Sequence, residues 1–264
     1  MLWEELTAPE FRKAVRKVRG VCLLPIGVIE KHGEHLPLGT DVLNGHRLAC
    51  LAAEIEPAVV FPPFYFGQIY EARCFPGTVT LKPSVLLDVV QGTLDEIGRN
   101  GFKKIVIVNA HGGNWFLLKF LAQASLWEEK PYNIYIPGRG AAKTDEAWKK
   151  LLKTQEHAHA CECETSVSMA NHPHLVKMER VPKTPATALK RLEAMPDHFS
   201  GIGWYADYPE HYAGDARPAN AKTGRALRTL RVKDLADFIR AVKKDKVSPA
   251  LQKEFFRRVE QVGE

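Results

Sequence analysis

The sequence predicts a single α/β domain in which helices cover a mostly parallel central sheet. Short apolar runs alternate along the chain with segments whose apolar residues recur at helical spacing, as in βαβ units. The clearest apolar run, 104–108, is rich in β-branched residues, which is typical of a parallel strand that is buried on both faces. No linker, internal repeat or low-complexity segment divides the 264 residues, so we expect one domain over 1–264.

The predicted helices begin and end at residues with capping character. Thr7 is the expected N-cap of the first helix, and Pro9 lies in its first turn. Ser84 is the expected N-cap of the third helix, which ends near Asn100 and Gly101 because these residues tolerate the conformation of a C-cap. In chain order, the four helices are predicted over 8–19, 42–56, 84–99 and 114–128.

The extended segments are predicted from short apolar runs that turn residues or helices bound. They are expected, in chain order, over 21–26, 58–61, 78–81, 104–108 and 132–136. Two longer stretches, 138–160 and 179–222, contain many Gly, Pro, His and aromatic residues, so we expect irregular structure there.

The composition argues against several classes of protein. The net charge of +6 raises the question of nucleic acid, but Lys and Arg are spread along the chain and alternate with apolar positions in helical segments. We therefore expect solvated helix faces and no nucleic-acid partner. The five cysteines are odd in number and form no CxxC pair, so they do not indicate a disulfide framework. No signal peptide and no membrane span is recognisable, and we expect a cytoplasmic protein that acts on a small molecule.

Titratable side chains are concentrated in two loops that follow the two best-defined strands. The loop after 21–26 carries Glu30, His32 and Asp41, together with Glu34 and His35, and the turn after 104–108 carries His111. In an open parallel sheet, ligands bind outside the carboxyl ends of the strands. We therefore expect these two loops to form one site.

Metal binding accounts for this set of residues better than separate structural roles do. Imidazole nitrogen and carboxylate oxygen are the usual ligands of zinc, and they also suit manganese and ferrous iron. Glu30 and His32 point to the same side of an extended segment, and the turn before Asp41 can fold that carboxylate back over them. A carboxylate in this position can bridge two metals about 3.5–4 Å apart. A single loop histidine is more often only solvated or hydrogen-bonded, but here several lie close together in the sequence.

A third group of polar residues spans 156–166. Glu164 lies near the start of a predicted helix, where a carboxylate favours the positive end of the helix dipole, so a capping role is its ordinary alternative. Cys161 and Cys163 can be interpreted either as soft metal ligands or as small buried thiols, and we favour the second interpretation.

Five segments together form a recognisable series over nearly the whole chain. They are 25–41, 75–78, 109–114, 159–166 and 214–217. The first reads Pro-Ile-Gly-Val-Ile-Glu-Lys-His-Gly-Glu-His-Leu-Pro-Leu-Gly-Thr-Asp, and the third reads Asn-Ala-His-Gly-Gly-Asn. In these segments the chain resembles the creatininase (creatinine amidohydrolase) family.

This resemblance implies a three-layer α/β/α fold, two divalent metal ions per subunit and a homo-oligomer, often a hexamer. Zinc is the first expectation for the metal, with manganese or iron as alternatives. The resemblance implies that the metal ligands include Glu30, His32, Asp41 and His111, with Asp41 bridging. It also makes His159 the counterpart of the family's catalytic histidine.

One ligand position departs from creatininase itself, in which a glutamate stands where this chain has Gly113. Family members with the His-Gly-Gly-Asn form usually carry a Glu at the position of Glu162. The resemblance therefore assigns the missing carboxylate to Glu162, with Glu164 as the alternative. Further departures concern the substrate, because Ala72 stands where many members have a His, and Cys161 and Ala216 stand where a Gly and a Pro are common.

We hypothesise that a water bridging two divalent metals attacks the carbonyl of a small cyclic amide or formamide. His159 would donate a proton to the leaving group, with Glu162 and Glu34 as further catalytic candidates, and Glu34 or His35 would orient the ligands. Backbone N–H groups after His111 would bind an anionic part of the substrate. A cyclic ketone or sugar-derived carbonyl compound is the alternative substrate, and a non-catalytic metal-binding module is the alternative of another class.

Overall fold

A four-stranded parallel sheet forms the centre of the fold in the computed structural model, which describes residues 1–138 and 142–263. Its strands are β1 (Val21–Ile26), β2 (Val59–Val60), β3 (Lys104–Asn109) and β4 (Asn133–Tyr135). They lie in the order β2-β1-β3-β4, and every pairing is parallel. The central pair, β1 and β3, is in register from Val21 opposite Lys104 to Ile26 opposite Asn109. The predicted strands at 21–26, 58–61, 104–108 and 132–136 are confirmed with small shifts at their ends.

Helices flank this sheet. In order they are α1 (Ala8–Lys17), α2 (Thr40–Ile55), α3 (Pro83–Arg99), α4 (Asn114–Ala124), α5 (Ala142–Leu151), α6 (Glu162–Asn171), α7 (Gly203–Asp207), α8 (Ala221–Lys244) and α9 (Val247–Glu260).

The two faces of the sheet bury different sets of helices. Side chains alternate between the faces of a strand, so Leu24 and Ile107 point to one face and Leu23 and Val106 to the other. The first face packs against α1, α3 and α4, and the second packs against α2 and α8. These layers confirm the three-layer α/β/α fold and the mostly parallel sheet. Burial on both faces is the reason that β1 and β3 are continuous apolar runs in the sequence.

A small antiparallel pair lies outside the main sheet. Its strands are β5 (His157–His159) and β6 (Ala213–Gly214), with His159 opposite Ala213. Together with α5 and α7, this pair occupies parts of the stretches 138–160 and 179–222, so the prediction of irregular structure was wrong for these elements, and 139–141 lie outside the described residues. These elements are short and depend on tertiary contacts, such as the hydrogen bond from the Thr144 hydroxyl to Asp234 at 2.8 Å. Local sequence signals are weak for such elements.

The capping residues were predicted with mixed success. Thr7 caps α1, and the carboxylate of Glu10 accepts hydrogen bonds from its N–H and hydroxyl at 2.9 and 2.6 Å. Ser84 is not the cap of α3, because Pro83 takes the first helical turn and moves the N-cap to Lys82. The segment predicted as a strand over 78–81 forms only a single bridge, and α4 ends at Ala124 instead of 128. Among the helices of the described ranges, none combines the length and apolar character needed to cross a bilayer.

Candidate active site

Four of the predicted ligands meet at the carboxyl ends of β1 and β3. Nδ1 of His111 lies 2.9 Å from Oε1 of Glu30 and 2.9 Å from Oδ2 of Asp41. Nε2 of His32 lies 3.2 Å from Oδ1 of Asp41. Glu30, His32 and Asp41 are buried, and the side chain of His111 is only 9% exposed. We call these four residues the carboxylate–imidazole cluster.

Asp41 reaches the cluster because α2 begins directly against the end of β1. A Cβ atom on Gly27, just after β1, would lie 2.5 Å from the backbone nitrogen of Val42, so only glycine permits this close approach. Asp41 then lies in the first turn of α2, where the positive end of the helix dipole stabilises a carboxylate. The helix dipole thereby offsets part of the free energy needed to bury the Asp41 carboxylate in the cluster.

Several buried polar atoms of the cluster have no hydrogen-bond partner among the residues that the structure describes. They are Oε1 of Glu30, Oδ2 of Asp41 and Nε2 of His111. The contacts of Nδ1 of His111 with the two oxygens are short but lack hydrogen-bonding geometry. Buried polar atoms without partners cost about 1–3 kcal/mol each. Nitrogen and oxygen atoms that converge in this way fit a divalent cation.

The ligand atoms fall into overlapping groups in which all atoms lie within 4.8 Å of one another. One group contains Glu30, Asp41 and His111, and another contains His32, Asp41 and Glu164. Asp41 belongs to both, as the sequence analysis expects of a bridging carboxylate. A third group joins Glu30 and His32 to His159.

The electrostatics of the cluster indicate an excess of negative charge. Burial opposes the ionisation of Glu30, but the charge of His111 and a hydrogen bond from His211 lower the pKa of this carboxyl well below its usual value. Burial also opposes protonation of His111 and His32, yet the neighbouring carboxylates raise the pKa of His111 well above its usual value and that of His32 to about 9. A bound cation would supply the positive charge that these imidazoles otherwise gain from protons.

The loop after β1 orients His32 and anchors itself through His35. Nδ1–H of His32 donates to the backbone carbonyl of Glu30 at 3.3 Å, which leaves Nε2 facing Asp41. Nε2–H of His35 donates to the hydroxyl of Thr165 on α6 at 2.8 Å, so it ties this loop to the neighbouring helix. His32 is thus oriented toward Asp41, and His35 fixes the loop that carries His32 against α6.

Glu34 does not join the cluster, contrary to its predicted catalytic role. Its carboxylate pairs with Nζ of Lys31 at 2.8 Å, and its side chain is 67% exposed. The physical reason is the turn at Gly33, whose positive φ of 57° sends the following side chain outward. We therefore remove Glu34 from the catalytic candidates.

The structure also separates the two glutamates at the start of α6. The carboxylate of Glu162 is fully buried and accepts hydrogen bonds from the backbone of Lys153 and from the N–H and hydroxyl of Thr154, at 2.8 to 3.1 Å. Glu164 instead lies with His32 and Asp41. Burial and the charge of Cys161 raise the pKa of Glu164 to about 8, so a nearby cation would favour its ionised form. We therefore replace Glu162 by Glu164 in the proposed ligand set.

His159 lies beside the cluster on β5. Its ring centroid is 4.3 Å from that of His32, and its Nε2–H donates to the carbonyl of Lys31 at 2.8 Å. Burial and the charge of His32 lower the pKa of His159 to about 3, so this imidazole is neutral at physiological pH. Its Nδ1 consequently keeps a free lone pair that can accept a proton.

His211 is a buried part of the site that the sequence analysis missed. Its Nε2–H donates to Oε2 of Glu30 at 2.5 Å, and Nε1–H of Trp204 donates to its Nδ1 at 3.0 Å. This chain of hydrogen bonds holds one oxygen of Glu30 in place and leaves the other for the cluster. His211 lies outside the recognised motifs, and only its position three residues before the 214–217 segment offered a signal.

Comparison with known proteins identifies the family of this chain. The sequence model of the family described as creatinine amidohydrolase matches residues 4–239. The chain belongs to the creatininase family. It is therefore a metal-dependent hydrolase of the creatininase type, a family of amidohydrolases that act on C–N bonds.

Among curated family members, the creatinine amidohydrolase of Pseudomonas putida is 25% identical over 89% of this chain and 95% of its own length. The mycofactocin precursor peptide peptidase of Mycolicibacterium smegmatis is 31% identical over 85% and 86%. A crystal structure of creatininase has a TM-score of 0.80 at 24% identity and covers 93% of this chain and 98% of its own. Other solved creatininases are described as Zn-Zn and Mn forms.

Gly113 has little room for a side chain in this structure. A Cβ atom at this position would lie 2.7 Å from Nε2 of His111 and 3.0 Å from the carbonyl oxygen of Gln68. A glutamate, as in creatininase itself, does not fit there without moving His111. Ala72, at the place of the missing histidine, is buried among Val28, Ile69 and Phe75, so that position contributes an apolar contact.

Glu162 and Glu164 lie in the same turn of α6, so substitution of each in turn tests which one is the ligand. We expect Glu164→Gln to lower hydrolysis by more than about 10²-fold and to reduce the bound metal, because it changes a carboxylate of the cluster. We expect Glu162→Gln to leave turnover near the wild-type value and to lower the free energy of unfolding by about 1.5–3 kcal/mol, because it weakens hydrogen bonds to a buried charge. Kinetics, metal analysis and denaturant unfolding of both variants measure these effects, and the reverse pattern would restore Glu162 as the ligand.

Proposed function

We propose that this chain is a dinuclear amidohydrolase that cleaves the C–N bond of a small cyclic amide or of a formamide. One cation would be held by Glu30, Asp41 and His111, and the other by His32, Asp41 and Glu164. The observation that carries the proposal is the pair of buried ligand groups that share Asp41. The nitrogen and oxygen ligands suit zinc first, with manganese or iron as alternatives.

When bound, the cations supply an acidified water molecule near neutral pH and polarise the carbonyl of the substrate. The protein holds the side chains that would bind the cations in fixed orientations. Hydrogen bonds to the backbone and to His211 orient His32 and Glu30, respectively, before any substrate arrives.

His159 would carry the proton during the reaction. Its neutral imidazole accepts a proton at Nδ1 from the attacking water and then donates it to the leaving nitrogen, while Nε2–H stays on the carbonyl of Lys31. This order modifies the expected role of His159, because the neutral imidazole carries its one proton on Nε2, where it is donated to the carbonyl of Lys31.

The substrate would enter beside the turn between β3 and α4. A surface hollow of about 490 Å³ is lined there by Gly112, Trp115, Phe116 and Lys119. The first N–H groups of α4 have no partners within the helix and face the same turn, so they can bind a carboxylate or the developing oxyanion. The aromatic rings favour a flat apolar portion of the substrate, and Lys119 favours an anionic one.

Removal and return of metal tests the proposal directly. We expect chelator-treated protein to lose at least about 10³-fold in hydrolysis of small amides, and Zn²⁺ or Mn²⁺ to restore it, because the reaction depends on acidified water. The assay should compare cyclic amides, formamides and short peptides with cyclic ketones under the same conditions. Hydrolysis that persists after complete removal of metal would contradict the proposal, and turnover of ketones alone would favour the alternative substrate class.

A further inference from the structure

A second group of metal-ligating side chains lies at the junction between β5 and α6. It consists of His157, Cys161 and Cys163, and one ligand atom from each lies within 4.8 Å of the other two. The sulfur atoms of Cys161 and Cys163 are 3.3 Å apart, and both residues are free cysteines. We call these three residues the thiol–imidazole group. It shares no residue with the carboxylate–imidazole cluster.

Packing alone does not explain this group. Cys161 is fully buried, but Cys163 and His157 are partly accessible, so a cation can reach the sulfurs from solvent. A buried thiol that serves only as a small apolar residue has no need of a second thiol and an imidazole around it. Thiolate and imidazole together form the ligand set that zinc prefers in proteins.

A hydrogen bond with Thr154, in the loop before β5, sets which ring nitrogen of His157 is free to bind a metal. The hydroxyl of Thr154 donates its proton to Oε2 of Glu162 at 2.8 Å, so this hydroxyl acts as an acceptor toward Nδ1–H of His157 at 3.3 Å. The proton on Nδ1 leaves the lone pair of Nε2 free for coordination. A ring nitrogen that donates to an outer oxygen is the usual companion of a metal-bound histidine.

We propose that the thiol–imidazole group binds one zinc-type cation through Nε2 of His157 and the sulfurs of Cys161 and Cys163, with water as the fourth ligand. Both sulfurs bind as thiolates, so binding releases to solvent whatever protons they carry and changes no oxidation state. This cation would clamp β5 to the start of α6, the two elements that carry His159 and Glu164. Since its ligands differ from those of the cluster, the proposal does not depend on the proposed function.

Cobalt provides a probe that distinguishes the two sites. The carboxylate–imidazole cluster offers only nitrogen and oxygen ligands, whereas cobalt bound to thiolate gives an intense charge-transfer absorption in the near ultraviolet. Reduced, metal-free full-length protein titrated with Co²⁺ should develop this absorption and reach a plateau at one thiolate-bound ion per chain. The same absorption should persist in Asp41→Asn, which alters only the cluster, and therefore report on the new site whether or not the enzyme is active.

Single substitutions complete the test. We expect Cys161→Ser and Cys163→Ser each to abolish the thiolate absorption, and Cys74→Ser, which changes an exposed cysteine elsewhere, to retain it. Thr154→Val should weaken Co²⁺ affinity roughly 10–100-fold, as loss of an outer hydrogen-bond partner does in other metal sites. Far-ultraviolet circular dichroism verifies that each variant is folded. Folded wild-type protein that saturates with Co²⁺ without thiolate absorption, or absorption that survives both cysteine substitutions, would overturn the proposal.

Discussion

Asp41→Asn is expected to lower kcat/KM for amide hydrolysis by more than about 10³-fold, beyond the loss that follows removal of a single transition-state hydrogen bond. The reason is that Asp41 is shared between two groups of ligand atoms. Its Oδ2 lies 2.9 Å from Nδ1 of His111 and its Oδ1 lies 3.2 Å from Nε2 of His32. An asparagine of the same shape keeps the packing but removes the charge that would draw two cations to one place.

Metal analysis together with steady-state kinetics measures this effect. We expect Asp41→Asn to retain less than the wild-type complement of metal, and to remain folded because the substitution is nearly isosteric. Asp88→Asn is a matched control, since Asp88 is an exposed aspartate on α3 and far from the cluster in the chain. A variant at Asp41 that keeps both full metal content and wild-type turnover would remove the basis for a shared carboxylate.

His159→Gln is expected to lower kcat by about 10²–10⁴-fold while the metal content stays close to that of the wild type. Glutamine can still donate to the carbonyl of Lys31 as Nε2–H does, but it cannot accept and return a proton near neutral pH. Burial and the charge of His32 lower the pKa of His159 to about 3, so the imidazole is neutral and its Nδ1 carries no proton at the start of the reaction.

The control for this substitution is His174→Gln, which changes an exposed histidine that is not part of the site. Comparison of kcat with KM separates the proton-transfer role from substrate binding, because loss of a transition-state interaction lowers kcat and kcat/KM together. Loss of metal from His159→Gln would instead indicate that His159 is a ligand, and unchanged kcat would show that another group moves the proton.

Local patterns in the sequence were sufficient to predict the central sheet and the approximate position of most residues of the cluster. β1 and β3 are apolar because both faces are covered, and the loops that follow them must meet at one edge of a parallel sheet. The sequence pattern therefore predicts that Glu30, His32 and His111 lie near one another. The resemblance to the creatininase family supported the same residues, and the structure brings them together.

The choice between Glu162 and Glu164 could not be made in this way. Successive residues of an α-helix are about 100° apart around its axis, so two residues separated by one position face nearly opposite directions. Only one of these carboxylates can face His32 and Asp41. Which one does so depends on how α6 lies against the loop at Lys153 and Thr154, and that packing is not visible in a pattern of residues.

By itself, the sequence determined the parallel sheet and the loops at its carboxyl edge, because these follow from periodicity and short-range spacing, and the resemblance to the creatininase family implied the four residues of the cluster as ligands. Only the tertiary structure decided that Glu164 faces the cluster, that Glu34 lies at the surface and that His211 holds Glu30. The orientation of Glu164 depends on how α6 packs, and the contact of His211 with Glu30 joins residues 181 positions apart, whereas Glu34 is directed outward by the turn at Gly33. Contacts of that kind are selected by packing of the whole domain, and no local preference of the backbone encodes them.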